Sequence, residues 1–256
     1  MRDIHFKGVD GTPLFAVEDG AGPAVVMLHG AMADHRASLP LVAGLSSARR
    51  IVLPDLRGSG RSKSAGTLSF DLLADDLARL LDHLAIDRAA VGGVSSGCGI
   101  PVRFALRHPS RASALVIVRP ISAGARHGYT PAQRAIFAKM DAAAEEALRS
   151  GVGALFPLYA DLPPGVRERA LAMVESFDPA SVRATTHLLA SGAHPFESET
   201  ELGRLSLPVL LFRGADPLHP AEVSDVYAVR IPHASVVAAN TADVPGAIAA
   251  FLPAPA

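Results

Sequence analysis

Polar and apolar positions alternate from about Ile4 to Glu18 around Asp10-Gly11, a pattern that predicts two antiparallel strands joined by a tight turn at a sheet edge. The pattern then changes. Ala24-Val25-Val26-Met27-Leu28 and Arg50-Ile51-Val52-Leu53-Pro54 are short unbroken apolar runs, as expected of strands covered on both faces. Ala89–Gly92, Ala114–Val118, Pro208–Phe212 and Ala234–Ala238 continue the series. Helical periodicity fills the intervals. Over 70–84 the residues Phe70, Leu73, Leu77, Leu80, Leu81 and Leu84 share one face, and helices are also predicted from about Ser96 to Arg107, Ala221 to Val229 and Val244 to Leu252. Strand and helix in alternation predict an α/β fold, a mostly parallel sheet flanked by helices.

From about Ile121 to Leu205 the alternation stops. Pro131–Arg149, Val166–Val174 and Pro179–Ala190 read as helices with no strand between them, and Pro163-Pro164 is a breaker. A helical insertion between two strands of a parallel sheet is placed to cover the end where such sheets bind ligands. The expected organisation is therefore a core of residues 1–120 and 206–256 with a helical cap insertion at 121–205. Phe137, Phe156, Phe177 and Phe196 fall in that insertion and suggest an apolar pocket beneath it.

Composition narrows the function. With 256 residues, 49% of them hydrophobic, and a formal net charge of −1, the chain can bury one large core but has no basic field for nucleic acid or an anionic membrane. Cys98 is the single cysteine, which rules out an intrachain disulfide and argues against a cysteine metal site; a small buried packing residue is the expected role. The N-terminal residues lack the apolar run of a secretory signal, and no segment approaches the ~18 apolar residues of a membrane span. A soluble cytoplasmic protein is expected.

One stretch carries chemistry. In Ala89-Ala90-Val91-Gly92-Gly93-Val94-Ser95-Ser96-Gly97-Cys98-Gly99 a buried strand runs into a turn and a helix, and Gly93, Ser95 and Gly97 fit G-x-S-x-G. A turn that strains Ser95 brings neighbouring chain so close that the residues two before and two after must be small. The helix that follows aims its first N–H groups at the space beside the Ser95 hydroxyl, where developing negative charge is stabilised. Neither the dinucleotide pattern G-x-G-x-x-G nor a P-loop is completed in this stretch.

Taken in order, these residues resemble the α/β-hydrolase family across nearly the whole chain. His29-Gly30 after a buried strand is similar to the family's oxyanion loop, Asp55-x-Arg57-Gly58-x-Gly60-x-Ser62 to its next loop, and Gly93–Gly97 to its nucleophile elbow. Arg107-His108-Pro109 and Gly214-Ala215-Asp216-Pro217-Leu218-His219-Pro220 also match. The resemblance implies Ser95 as nucleophile, the backbone N–H groups of Ala31 and Ser96 as the oxyanion hole, and Asp216 as the acid that orients a histidine. Asp55 and Arg57 are expected to hold their turn as a structural pair.

The chain departs from the family at one point. A catalytic histidine normally follows the last strand, and here Ala238-Ala239-Asn240-Thr241-Ala242-Asp243 follows it instead; no histidine occurs after His233, which lies on the far side of that strand. A serine without a base is a poor nucleophile. His219, three residues beyond Asp216, is the candidate base, with packing or capping as its competing role. His187 and His194 in the insertion are further candidates, and His29 is expected to brace the oxyanion loop. The expected function is cleavage of a small uncharged ester, lactone or similar carbonyl substrate through Ser95, with no cofactor, no metal and no nucleic-acid or membrane partner. The alternative is a non-hydrolytic enzyme of the same fold (lyase, cyclase or isomerase) or a catalytically silent ligand-binding protein.

Overall fold

The computed structural model describes residues 1–253. Eight strands form one sheet in the order β1-β2-β4-β3-β5-β6-β7-β8: β1 (Arg2–Lys7), β2 (Pro13–Asp19), β3 (Ala24–Leu28), β4 (Arg50–Asp55), β5 (Ala89–Val94), β6 (Ala112–Val118), β7 (Val209–Phe212) and β8 (Ala234–Val237). β1 and β2 pair antiparallel, as their alternating pattern predicts, and β2 joins β4 antiparallel; all other pairs are parallel.

The unbroken apolar runs are explained by two cores, one on each face. In β3, Val26 and Leu28 enter one core while Val25 and Met27 enter the other; in β6, Leu115 and Ile117 oppose Val116 and Val118 in the same way. Helices α1 (Phe70–His83), α2 (Gly99–Arg107) and α6 (Ala221–Arg230) cover the first face through Leu77, Phe104 and Tyr227. Helix α7 (Val244–Phe251), with Ile248, and the 3₁₀ turns of His35–Val42 cover the second. All six residues predicted for the apolar face of α1 are buried, and Ser69 caps its first turn by accepting the Leu72 N–H at 3.1 Å.

Between β6 and β7 lie α3 (Pro131–Ser150), α4 (Pro164–Val174) and α5 (Pro179–Ala190), with no strand among them. The 3₁₀ segments at His35–Val42 and Val152–Tyr159 are missed by periodicity. Each carries a proline, Pro40 or Pro157, and three residues per turn leave no 3.6-residue stripe to read. The helix expected from Ser96 also begins differently: its first turn, Ser95–Cys98, is 3₁₀, and α2 starts at Gly99.

The expected Asp55–Arg57 pair does not form. Asp55 accepts the His35 N–H (2.9 Å), the His35 Nδ1–H (2.7 Å) and the Arg61 N–H (2.7 Å). Arg57 turns instead to Asp76 of α1, donating from Nε (2.7 Å) and Nη2 (2.8 Å), and to Asp10 in the β1–β2 turn (2.8 and 3.0 Å). Both residues are structural, but neither is the other's partner: Asp55 gathers His35 and Arg61, and Arg57 joins Asp76 and Asp10. Because the Arg57 side chain is 2% exposed and Asp76 8%, removing one partner leaves a buried charge unpaired. Arg57→Met is expected to cost about 3 kcal/mol in equilibrium unfolding. Asp76→Leu added to it should restore part of that loss; equal stability of wild type and Arg57→Met would contradict the structural role.

Candidate active site

Strand β5 ends at Val94, and Ser95 turns into the left-handed region with φ 57°. For a residue with a β-carbon this conformation is strained and persists only where its surroundings enforce it. The turn is packed so tightly that only glycine fits at the positions two before and two after the serine. A β-carbon on Gly93 would stand 2.3 Å from the Gly97 carbonyl oxygen, and one on Gly97 would stand 2.2 Å from the His29 carbonyl oxygen. The Cys98 thiol, fully buried, closes the turn from beneath by donating toward the carbonyls of Gly93 (3.1 Å) and Val118 (3.2 Å). Burial pushes that thiol far above its ordinary pKa, which matches the packing role expected for it.

The loop after β7 meets Ser95 from the other side. His219 places Nε2 2.9 Å from the Ser95 Oγ, and its Nδ1 lies 2.9 Å from both carboxylate oxygens of Asp216. With Nδ1–H donated to Asp216, Nε2 is left to accept the Ser95 hydroxyl. Asp216 also accepts the N–H groups of Leu218 and His219, each at 2.9 Å, so one carboxylate both shapes the loop and orients the ring. Burial by itself would raise the Asp216 carboxyl, but the His219 side chain and these N–H groups outweigh it and hold it below the usual carboxylate range.

The other histidines are engaged elsewhere. His29 is fully buried; its Nε2 accepts the Leu56 N–H (3.0 Å) and its Nδ1–H donates to the Gly30 carbonyl (2.7 Å), so it ties the β3 loop to the β4 loop. Burial pushes its imidazole below the ordinary pKa, keeping it neutral. His194 lies 2.7 Å from the Ser122 hydroxyl and stacks on Tyr129, and His187 is solvated beside Asp141. His233 precedes β8, which runs parallel to the strands beside it, and so sits at the opposite end of the sheet from Ser95.

Ala31 and Ser96 flank the serine. The loop after β3 runs so close that a β-carbon on Gly30 would lie 3.2 Å from the Ser95 β-carbon. Ala31 and Ser96 also line a narrow cavity of about 40 Å³, whose wall is chiefly Leu56, Leu68, Phe70, Leu73, Ile100 and Leu188. The four phenylalanines expected around such a pocket are not in its wall. Phe156 and Phe177 pack in an apolar cluster with Met32, Leu155 and Val174, Phe137 in one with Ile121, Tyr129 and Leu189, and Phe196 joins the main core. Aromatic composition did not distinguish a residue that closes the insertion's own core from one that faces a ligand.

Asp34, His35 and Asp55 bring ligand-type atoms within 4.8 Å of one another, but their oxygens are occupied. Asp34 accepts Arg36 from Nε (3.0 Å) and Nη2 (2.6 Å), and Asp55 accepts three N–H bonds. The cluster braces the β3 and β4 loops. No helix among the described residues is long and apolar enough to cross a membrane.

Comparison with known proteins gives a consistent frame. A family model described as alpha/beta hydrolase fold matches residues 23–165. The magnesium-chelatase 30 kDa subunit of Rhodobacter capsulatus is 39% identical over 90 residues, 34% of this chain and 32% of that protein. The 2-hydroxymuconate semialdehyde hydrolase of Pseudomonas sp. (strain CF600) is 34% identical over 139 residues, 50% of this chain and 46% of that enzyme. The matches thus span from a third to about half of these curated relatives. Among solved structures, a malate-bound thermophilic esterase from Thermogutta terrifontis superposes with a TM-score of 0.75 at 24% identity, covering 93% of this chain and 89% of its own.

The turn's geometry predicts the effect of adding one methyl group. Gly97→Ala forces a β-carbon against the His29 carbonyl and is expected to cost about 1–3 kcal/mol in thermal or denaturant unfolding. Gly153→Ala, whose β-carbon meets nothing within 4 Å, should stay within about 0.5 kcal/mol of wild type. Equal stability of the two variants would show that the turn is not as tight as described.

Proposed function

The chain belongs to the α/β-hydrolase fold family, and from that premise we propose that it is a serine hydrolase in which Ser95, His219 and Asp216 form the catalytic triad. The observation that carries this reading is the 2.9 Å approach of His219 Nε2 to Ser95 Oγ while Nδ1 rests on Asp216. A histidine after the last strand is not needed when the β7 loop supplies both the base and its orienting acid.

In the proposed reaction His219 takes the Ser95 proton as Oγ adds to the substrate carbonyl carbon. The backbone N–H groups of Ala31 and Ser96 stabilise the resulting oxyanion, a contribution of about 3 kcal/mol for each donor in comparable sites. The protonated His219 then gives its proton to the leaving oxygen, and Asp216 stabilises the imidazolium in between. Water enters by the same base and releases the acid. The segment 121–205 serves as the cap, with Leu188 and Leu189 of α5 closing the pocket wall. A cavity of about 40 Å³ holds roughly three waters or a few carbons, so the favoured substrate is a small uncharged ester or lactone with a short apolar group.

Intact-mass labelling with a fluorophosphonate tests the triad. The native protein is expected to gain one adduct. Ser95→Ala should gain none, and His219→Ala should label at least about 10³-fold more slowly. Labelling of His219→Ala at the native rate would remove His219 as the base. A native protein that does not label at all would favour the lyase, isomerase or ligand-binding alternative.

The cavity sets an order among substrates. p-Nitrophenyl acetate and butyrate are expected to be hydrolysed with higher kcat/KM than the octanoate, and Leu188→Ala should narrow that gap by enlarging the pocket. A preference for octanoate in the native protein would contradict this assignment of the pocket.

A further inference from the structure

Gln133 is a polar side chain with no exposure to solvent, standing at the start of α3 beside an apolar cluster of Ile121, Tyr129, Phe137 and Leu189. Burying an amide there is costly unless every polar atom finds a partner. Its partners come from three parts of the chain. Oε1 accepts the Thr130 N–H at 3.0 Å, completing a capping box in which Thr130 Oγ1 accepts the Gln133 N–H. The Nε2 amide donates to the Ile121 carbonyl at 2.8 Å and to the Leu218 carbonyl at 2.9 Å.

A helix cap explains the first of these contacts and not the last. Leu218 immediately precedes His219, and it packs on the same cluster as Phe137. Among the described residues the ring of His219 is hydrogen-bonded to Ser95 and to Asp216, and Asp216 belongs to the same loop, with a side chain 46% exposed. The Asp216 contact fixes the ring relative to its own loop, and the Ser95 contact leaves the loop only through the hydroxyl that the ring is to serve. Neither ties the loop's backbone to the rest of the protein. Near the strand, the Gly214 N–H is held by Ser224 Oγ at 3.0 Å; near the histidine, Ser95 meets the ring and Gln133 holds the backbone, at the Leu218 carbonyl.

We propose that Gln133 is a positioning residue: its buried amide, donated to the Leu218 carbonyl, holds the β7 loop so that His219 stays in register with Ser95, and the inserted helices thereby set the geometry of the base. The inference rests on His219 being that base. It also gives the helical insertion a task besides covering substrate. A displacement of about 1 Å between reacting groups commonly costs about 10²-fold in rate, so a loop free to move by that amount would keep its substrate pocket and lose its chemistry.

Gln133→Met keeps the length and volume of the side chain and removes both donated hydrogen bonds. The measurement is the rate of fluorophosphonate labelling against reagent concentration, which separates the saturating rate from the half-saturating concentration. The saturating rate is expected to fall about 10²-fold, with the half-saturating concentration changed less than about threefold, as befits a group that acts through the base and not through binding. The downfield proton resonance of His219 Nδ1–H, identified by its absence in His219→Ala, should broaden or vanish in Gln133→Met. Thr130→Ala removes the hydroxyl's half of the capping box and leaves Leu218 untouched; it should lower the melting temperature without slowing labelling more than about twofold. If Gln133→Met does not fold, Gln133→Glu keeps the acceptor for the Thr130 N–H, loses the donors, and carries the same readouts.

Native-rate labelling of the Gln133 variant, a change confined to the half-saturating concentration, or slowing no greater than that of Thr130→Ala would each overturn the inference. Because His219→Ala is measured in the same series, the two readings fail separately. A silent His219→Ala with a fully active Gln133→Met removes the clamp and keeps the base, whereas an active His219→Ala removes the base itself.

Discussion

The left-handed backbone of Ser95 is the constraint from which the rest of the site follows. It projects one hydroxyl beyond the end of β5, and it can do so only if the residues two positions away on either side are reduced to glycine and the strands alongside are rigid. Both conditions are met: Gly93 and Gly97 bracket the turn, and β5 lies inside the sheet between β3 and β6, buried on two faces. Strain of about 1–3 kcal/mol at such a residue is tolerable when so much apolar surface holds its neighbours in place.

Sheet order decides what stands opposite that hydroxyl. From β3 the chain moves outward to β4 and then returns to β5 on the other side of β3, so the loops after β3 and β5 diverge above the sheet and leave a crevice between them. Ala31 and Ser96 come from those two loops. The loops around the crevice are joined by polar ties, His29 linking the β3 and β4 loops and Asp55 gathering His35 and Arg61. Burial alone would raise the Asp55 carboxyl, and the hydrogen bonds from His35 and Arg61 reverse that, holding it below the ordinary range. These charged and polar groups hold the frame around the serine; none of them contacts its hydroxyl.

The helical segment between β6 and β7 is joined to this frame by more than apolar contact. The Tyr159 hydroxyl donates to the Met32 carbonyl at 2.8 Å, next to Ala31, and Gln133 donates to the Leu218 carbonyl, next to His219. Two loops that flank the serine are therefore each tied to the insertion by a side-chain hydrogen bond, and Arg36 adds a second tie to the β3 loop by donating to Ser176 Oγ at 3.1 Å. Phe137, Phe156 and Phe177 hold the insertion together, and its polar ties, which include Ser181 Oγ accepting the Ser64 N–H at 2.9 Å, hold the loops.

Local pattern determined the strands, the helices, their alternation and the serine turn, because each depends on residues close in sequence: period-2 and period-3.6 burial, capping residues, and glycines two positions from Ser95. The same locality made the β7 loop readable as Asp216-x-x-His219. Whether that histidine reaches Ser95, 124 residues away, depended on the register of β5, β6 and β7, which no local pattern contains. The partners of Asp55, Arg57 and Gln133 and the true wall of the cavity were decided in the same way. A buried polar group takes whichever donor or acceptor the packing brings to it, and packing joins residues by proximity in space, with no record of it in the spacing along the chain.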